Sequence, residues 1–231
     1  MRICMFLMTE FTHDARVTKE ARSLIQQGHS VTVMALKDQN TPLFEKREDF
    51  KIQRVSVTLR YLLPKGGLFF FLKYMEFIFR TYMVVRNQQY DVYHAHDLET
   101  LPVAYMLAKT NHKPVVYDSH ELYVDFVQHG RLRRKVWYTI EKYLAARVDY
   151  TIHENESRAK IYSERYNVPQ PVALMNCQYL NLKEKTNRFR DELSIAPNDA
   201  IILYQGLVAP GRGVDKLLEM INYLNNRYSD K

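Results

Sequence analysis

Cysteine is almost missing from this chain. Cys4 and Cys177 are the only two, far apart and outside any CxxC spacing, so neither a disulfide framework nor a thiolate metal site is indicated, and a reducing cytoplasm is the setting that fits. The opening MRICMFLMTE has too short an apolar run, and meets a carboxylate too soon, for a secretory signal. No P-loop, G-x-S-x-G or H-E-x-x-H occurs, which removes three common catalytic signatures. No nucleic-acid-binding module is recognisable either, so nucleic acid is not an expected partner.

What is present can build a core. Of 231 residues, 46% are apolar and 26% charged, ordinary for a soluble globular protein, and the length exceeds one average domain without reaching two. Lys and Arg number 33 against 26 Asp and Glu, and the net charge of +7 favours anionic partners such as a phosphorylated ligand or an acidic membrane face.

The order of hydrophobic patterns predicts an α/β fold. Arg2 to Met8 reads as a buried strand, Val17, Ala21, Leu24 and Ile25 as one face of a helix closed by Gly28, and Ser30 to Ala35 as the next strand. Asp14 is placed to cap that helix, and Arg16 beside it could instead meet an anion. Lys37 to Asp49 reads as charged loop, and Lys51 to Val57 as an edge or half-buried strand. A second βαβ unit runs from Tyr90 to Glu121, with strands at Val92 to Ala95 and Pro114 to Tyr117 around a helix containing Leu101, Ala104, Tyr105 and Ala108. The alternation continues through a helix opened by the basic run 131–135, a strand at Val148 to Ile152, a helix at Glu156 to Tyr166 and a strand at Val172 to Met175. This defines a first domain, 1–176, and a polar connection, 177–199. The remainder, 200–231, supplies one strand, Ile201 to Gln205, and one helix, Val214 to Tyr228, which cannot bury its own apolar face, so the second domain is expected to be truncated.

In open parallel sheets ligands bind beyond the carboxyl ends of the strands, where His94, His96, Asp97, Asp118, His120 and Glu121 fall. The His-x-His of HAHD, with His120 and Glu121, admits a metal-hydrolase reading, but no further His motif with ligand spacing accompanies it, and hydrogen-bonded or solvated histidines are the other reading. Gly211-Arg212-Gly213 stands at the start of the last helix, where amides and a cation receive phosphate, although Lys216 replaces the third glycine of a dinucleotide fingerprint. The run 68–85, LFFFLKYMEFIFRTYMVV, places Lys73, Glu76 and Arg80 on one helical face. Either this helix packs in the core, or its aromatic side rests on an anionic membrane surface with 131–135 holding headgroups.

Several stretches together resemble the family 4 glycosyltransferases, retaining enzymes of the two-Rossmann-domain GT-B architecture. They are HDARVTKEARSLIQQGHSVTV, YDVYHAHDLETLPVAYMLAK, PVVYDSHEL, IEKYLAARVDYTIHENESRAKIYSERYNVPQPVALMNC and ILYQGLVAPGRGVDKLLEMI. The resemblance implies a Rossmann-like parallel sheet with helices on both faces that binds the acceptor, then a domain that binds a nucleotide-diphosphate sugar, with no obligatory cofactor or metal. It implies His96 as the catalytic group, near the transferring sugar, and Asp97, Asp118, His120 and Glu121 as groups positioning sugar or acceptor. Donor phosphate contacts fall to Arg16, Gly206, Gly211, Arg212 and Gly213. The chain departs from the family pattern in three places: no glycine precedes Gly28, Leu207 stands where relatives carry an arginine, and no Glu-x7-Glu follows before Lys231. The expected activity is sugar transfer to a polysaccharide or lipid-linked acceptor, in the cytoplasm or peripherally at the inner membrane face. The alternatives are a non-catalytic acceptor-binding module that needs a separate donor domain and, behind it, a metal-dependent hydrolase using His94 and His96.

Overall fold

The structure, a computed structural model, describes all residues except 48, 65, 126–129, 178–185 and 229–231. Clustering of contacts separates two compact units, Met1–Gln178 and Tyr179–Lys231. The first is built on an eight-stranded sheet. Its elements are β1 (Arg2–Phe6), α1 (Ala15–Gln26), β2 (Ser30–Leu36), β3 (Phe44–Arg47), β4 (Phe50–Val55), α2 (Leu59–Leu62), α3 (Gly67–Val85), β5 (Val92–His96), α4 (Leu101–Asn111), β6 (Val115–Ser119), a 3₁₀ turn at Tyr123–Asp125, α5 (Arg131–Ala145), β7 (Tyr150–His153), α6 (Glu156–Tyr166) and β8 (Val172–Ala173). The strand order is β3-β4-β2-β1-β5-β6-β7-β8, and only β3 runs antiparallel to its neighbour.

Strand alternation divides the core in two. Ile3, Met5 and Leu7 of the first strand segment face a cluster under α1 with Val17, Ala21, Val31 and Val33. Cys4 and Phe6 point the other way, into the larger cluster under α3, α4, α5 and α6. This Rossmann-like arrangement puts helices on both faces, and the strand order reverses at β1, which opens a crevice between the ends of β1 and β5. Helix α1 starts where the sequence places it. The Asp14 carboxylate accepts hydrogen bonds from the backbone N–H of Arg16 and Val17 at 3.0 and 3.3 Å, and Gly28 takes the left-handed conformation beyond the helix end, φ 80°. Asp14→Ala is expected to cost about 1 kcal/mol of stability in a urea melt, the usual loss for an N-cap.

Two expectations of local structure are corrected. The charged stretch Lys37 to Asp49 contains strand β3, which covers β4, so of the two readings of Lys51 to Val57 the half-buried strand agrees with the alternating burial of β4 and the edge position does not. The buried Arg54 guanidinium explains this, because it donates to Glu45 Oε2 at 2.7 Å and to the carbonyls of Glu10 and Pro42 at 3.0 Å each. An arginine removed from water must be paired, and pairing it fastens the outer strand.

Helix α3 uses its charged stripe in an unexpected way. Glu76 accepts from the backbone N–H of Thr58 and Leu59 at 2.9 and 2.8 Å. Arg80 bonds the Thr58 hydroxyl at 2.9 Å, and Lys73 donates to the carbonyls of Leu63 and Pro64. These charges therefore hold the α2 segment. Tyr74, Phe77, Ile78 and Val85 are buried, while Phe71, Leu72, Met75, Phe79 and Met83 lie between 40% and 64% exposed. Among the described residues no helix is long and apolar enough to cross a membrane.

The second unit contains α7 (Arg188–Leu193) and α8 (Val214–Tyr228). The strand expected at Ile201 to Gln205 is not formed: among the described residues of this unit no strand exists to pair with it, and a lone segment has no ladder.

Candidate active site

The crevice is furnished by side chains that β5 and β6 send to the α1 side of the sheet. His94 and His96, two residues apart on β5, share that face and stack with ring centroids 4.4 Å apart. In the parallel register His96 lies opposite Asp118 of β6. Asp118 Oδ2 is 3.4 Å from His96 Nδ1 and 3.4 Å from His120 Nε2. From above, Glu20 of α1 brings Oε1 to 3.4 Å from His94 Nδ1 and Oε2 to 3.9 Å from His96 Nε2. His94, His96, Asp118 and His120 are all buried.

The turn after β5 is tightly closed. Asp97 takes a left-handed backbone conformation, φ 62°, and its N–H donates to the Asp118 carbonyl at 2.9 Å. The buried Thr100 hydroxyl donates to the His96 carbonyl at 2.7 Å. This sets Asp97 in the lining of a cavity of about 140 Å³ to which Arg16, His96 and His120 also contribute. A second hollow of about 280 Å³ shares Arg16, Asp97, Glu99 and His120 and adds Glu121, Tyr123 and Arg133, so the two form one cleft. Arg16 borders both, but its guanidinium is already tied to Asp14 at 3.1 Å.

Burial sets most of the charge states here. It holds His94 well below the ordinary imidazole value and brings His120 down to about 4, so both rings are neutral at pH 7. It raises Glu20 to about 7 and, with help from Glu99, Asp97 to about 7. His96 goes the other way: against burial, the carboxylates of Glu20 and then Asp118 raise it. Asp118 is likewise lowered, because its hydrogen bond to His96 and the charge there outweigh burial.

Of the residues the sequence singles out, His94, His96, Asp97, Asp118, His120, Glu121 and Arg16 thus converge on one crevice. Gly206, Gly211, Arg212 and Gly213 belong to the second unit, where Gly211 and Gly213 are left-handed, φ 82° and 76°, and Arg212 is exposed. Sequence reasoning missed Glu20, Glu99 and Tyr123, and gave Arg133, which lines the cleft, to the basic run 131–135. Glu20 carried a signal, since it falls on the apolar stripe between Val17 and Leu24 where a charge needs a partner.

Glu20, His94, His96 and Asp118 have ligand-type atoms within 4.8 Å of one another. The separations His94 Nδ1 to Glu20 Oε1 and His96 Nδ1 to Asp118 Oδ2, 3.4 Å each, match the edge of a tetrahedral site with bonds of about 2.1 Å, so this group could hold a metal ion.

Comparison with known proteins gives a consistent picture. The model of Glycosyltransferase Family 4 matches residues 15–177. No curated protein matches the chain by sequence. Among solved structures, a sucrose-phosphate synthase from Thermosynechococcus elongatus superposes with a TM-score of 0.74 at 16% identity, over 96% of this chain and 60% of that one. Anabaena HepE in complex with UDP and glucose gives 0.64 at 13% identity, over 96% and 58%. Arabidopsis thaliana UGT89C1 complexed with UDP-L-rhamnose gives 0.60 at 11%, over 95% and 62%. The chain spans about three-fifths of the length of these structures, and at such identities the likeness concerns the fold.

Proposed function

The chain belongs to the family 4 glycosyltransferases, and from that premise we propose that it forms the acceptor side of an enzyme moving a sugar from a nucleotide diphosphate to a polysaccharide or lipid-linked acceptor, with retention at the anomeric carbon. The observation that carries this reading is the cleft at the switch point, where His96, Asp97 and Asp118 meet the start of α1. Carboxylates of Asp97, Glu99 and Glu121 suit the hydroxyls of a neutral sugar, which donate hydrogen bonds to them. In the transfer, the bond from the anomeric carbon to the diphosphate breaks, a bond to the acceptor oxygen forms on the same face, and the hydroxyl proton leaves with the phosphate. For the diphosphate we propose Arg16 in the first unit and, taken by itself, the loop of Gly206, Gly211, Arg212 and Gly213 in the second.

A peripheral position on the cytoplasmic face of a membrane is the second part of the proposal. Arg131, Arg134, Lys135 and Arg165 surround Asp125 in an open hollow of about 360 Å³. The neighbouring Arg133 lies 3.7 Å over the ring of Phe70, on the core-facing side of α3, whose opposite side exposes Phe71, Met75 and Phe79. Cations beside an apolar helix face suit an anionic bilayer.

The test is transfer itself. The protein is incubated with UDP-glucose and with a lipid extract or polysaccharide, and the product is read by mass spectrometry and NMR. A glucoside with the donor's anomeric configuration is expected, and His96→Ala is expected to lower turnover about tenfold or more. An inverted product would overturn retention. The second reading is a non-catalytic acceptor-binding module that works with a separate donor domain. Binding of acceptor without turnover of any nucleotide sugar would decide for that role.

A further inference from the structure

Arg133 of α5 stands apart from the arginines around it. Arg134 and Arg165 are both paired with Asp125, at 3.2 and 2.6 Å. Arg133 instead lies 3.7 Å over the Phe70 ring, its buried Nε has no hydrogen-bond partner, and it borders the outer hollow of about 280 Å³ together with Asp97, Glu99, Glu121 and Tyr123. We propose that this outer hollow is a second sugar subsite, in which Glu99 and Arg133 grip hydroxyls of the unit next to the one that reacts, so that the acceptor is an oligosaccharide rather than a single sugar or a bare lipid alcohol. The inference deepens the transferase reading above and rests on it for which sugar reacts; saccharide binding itself stands independently.

Both side chains are held ready for this. Glu99 Oε1 accepts from the Tyr123 hydroxyl at 2.6 Å, and the Glu99 carbonyl accepts from the Tyr74 hydroxyl at 3.0 Å, so the 3₁₀ turn fixes its side chain and α3 its backbone. A carboxylate has about four acceptor sites, so one tyrosine leaves room for sugar hydroxyls. For Arg133, stacking on Phe70 orients the guanidinium without spending its N–H donors on a carboxylate. A hydroxyl donates one hydrogen bond and accepts two, so neighbouring hydroxyls of one ring can donate to Glu99 and accept from Arg133 together. The charge balance of the hollow selects against an anionic ligand. Asp97, Glu99 and Glu121 outnumber its arginines, Arg133 and an Arg16 already tied to Asp14 at 3.1 Å. Glu99 also lines the inner cavity of about 140 Å³ with His96, so it stands where two linked sugar units would meet.

Saccharide binding tests this without an activity assay. The full chain is presented to an array of immobilised mono- and oligosaccharides, and the affinities of the glycans it retains are measured by calorimetry. A disaccharide or longer glycan is expected to bind about tenfold or more tighter than its terminal monosaccharide, the worth of one or two hydrogen bonds to charged groups. In Arg133→Met that ratio is expected to fall about tenfold. Glu99→Gln, whose amide oxygen still accepts from Tyr123, is expected to lower it as well and carries the test if Arg133→Met fails to fold. An array that retains no oligosaccharide, or oligosaccharides bound no tighter than monosaccharides, overturns the proposal. So does a ratio that both variants leave within about twofold of the original. Tight oligosaccharide binding in a protein that transfers no sugar keeps the subsite and removes the transferase reading. Transfer to a lipid alcohol with a KM that Arg133→Met leaves unchanged removes the subsite and keeps the transferase.

Discussion

Trp137→Ala is expected to lower the free energy of unfolding by about 3–5 kcal/mol, the range for removing a buried aromatic. Trp137 is 3% exposed and stands edge-on to Tyr74 of α3 and Tyr123 of the 3₁₀ turn, with centroids 5.1 and 5.4 Å away. Neither neighbour can fill the space, because each is tied elsewhere. The Tyr74 hydroxyl donates to the Glu99 carbonyl at 3.0 Å, and that of Tyr123 donates to Glu99 Oε1 at 2.6 Å. Trp137 therefore holds together α3, α5 and the loop carrying Glu99 at the cleft. Urea denaturation at pH 7 measures the loss. A change below about 1 kcal/mol would mean that the surrounding rings close over the gap and that the packing described is not what fixes these elements. Trp137→Phe keeps a ring and is expected to cost less than half as much.

The second large effect concerns α3. Phe71 and Phe79 are 50% and 64% exposed on the side away from the core. Burying the exposed half of a phenylalanine in an apolar layer is worth roughly 1–1.5 kcal/mol, so the pair contributes about 2–3 kcal/mol. Phe71→Ser with Phe79→Ser should accordingly weaken binding to phosphatidylcholine vesicles containing phosphatidylglycerol by about 30- to 150-fold. Unfolding should change little, since neither ring lies in the core. Flotation in a density gradient reads the partition, and rising salt should weaken it through the cations of α5. Vesicles that leave the unaltered protein behind, or that retain the double variant equally, would remove membrane contact from the proposed function. The apolar face would then have to be covered by protein.

Much of the frame was legible because strand alternation, helix periodicity and capping are local. The α1 helix with its Asp14 cap and Gly28 end, and the two strand-helix-strand units around β1 and β5, follow from residues within a few positions of one another. The convergence of HAHD and DSHE on one edge follows as well, since parallel strands present their carboxyl ends together. The stretch containing β3 was not legible. Phe44–Arg47 reads as loop because two charges and an arginine fill it, and it becomes a strand only through the buried Arg54 that Glu45 neutralises. In α3 the sequence put Lys73, Glu76 and Arg80 on one helical face without showing what that face meets: it grips the α2 segment and leaves aromatic side chains outside.

The sequence by itself determined the α/β class, the order of the strand-helix-strand units around β1 and β5, and the set of imidazoles and carboxylates at the strand ends, because each of these is written in short-range pattern. Only the tertiary structure decided which of them interact. Glu20 meets His94 and His96 because α1 crosses back over a sheet whose fifth strand lies next to its first, and that adjacency is a property of strand order rather than of any local stretch. Charge states followed from the same packing. His94 and His96 are two residues apart on one strand, but burial leaves one neutral, while the two carboxylates brought to the other favour its proton.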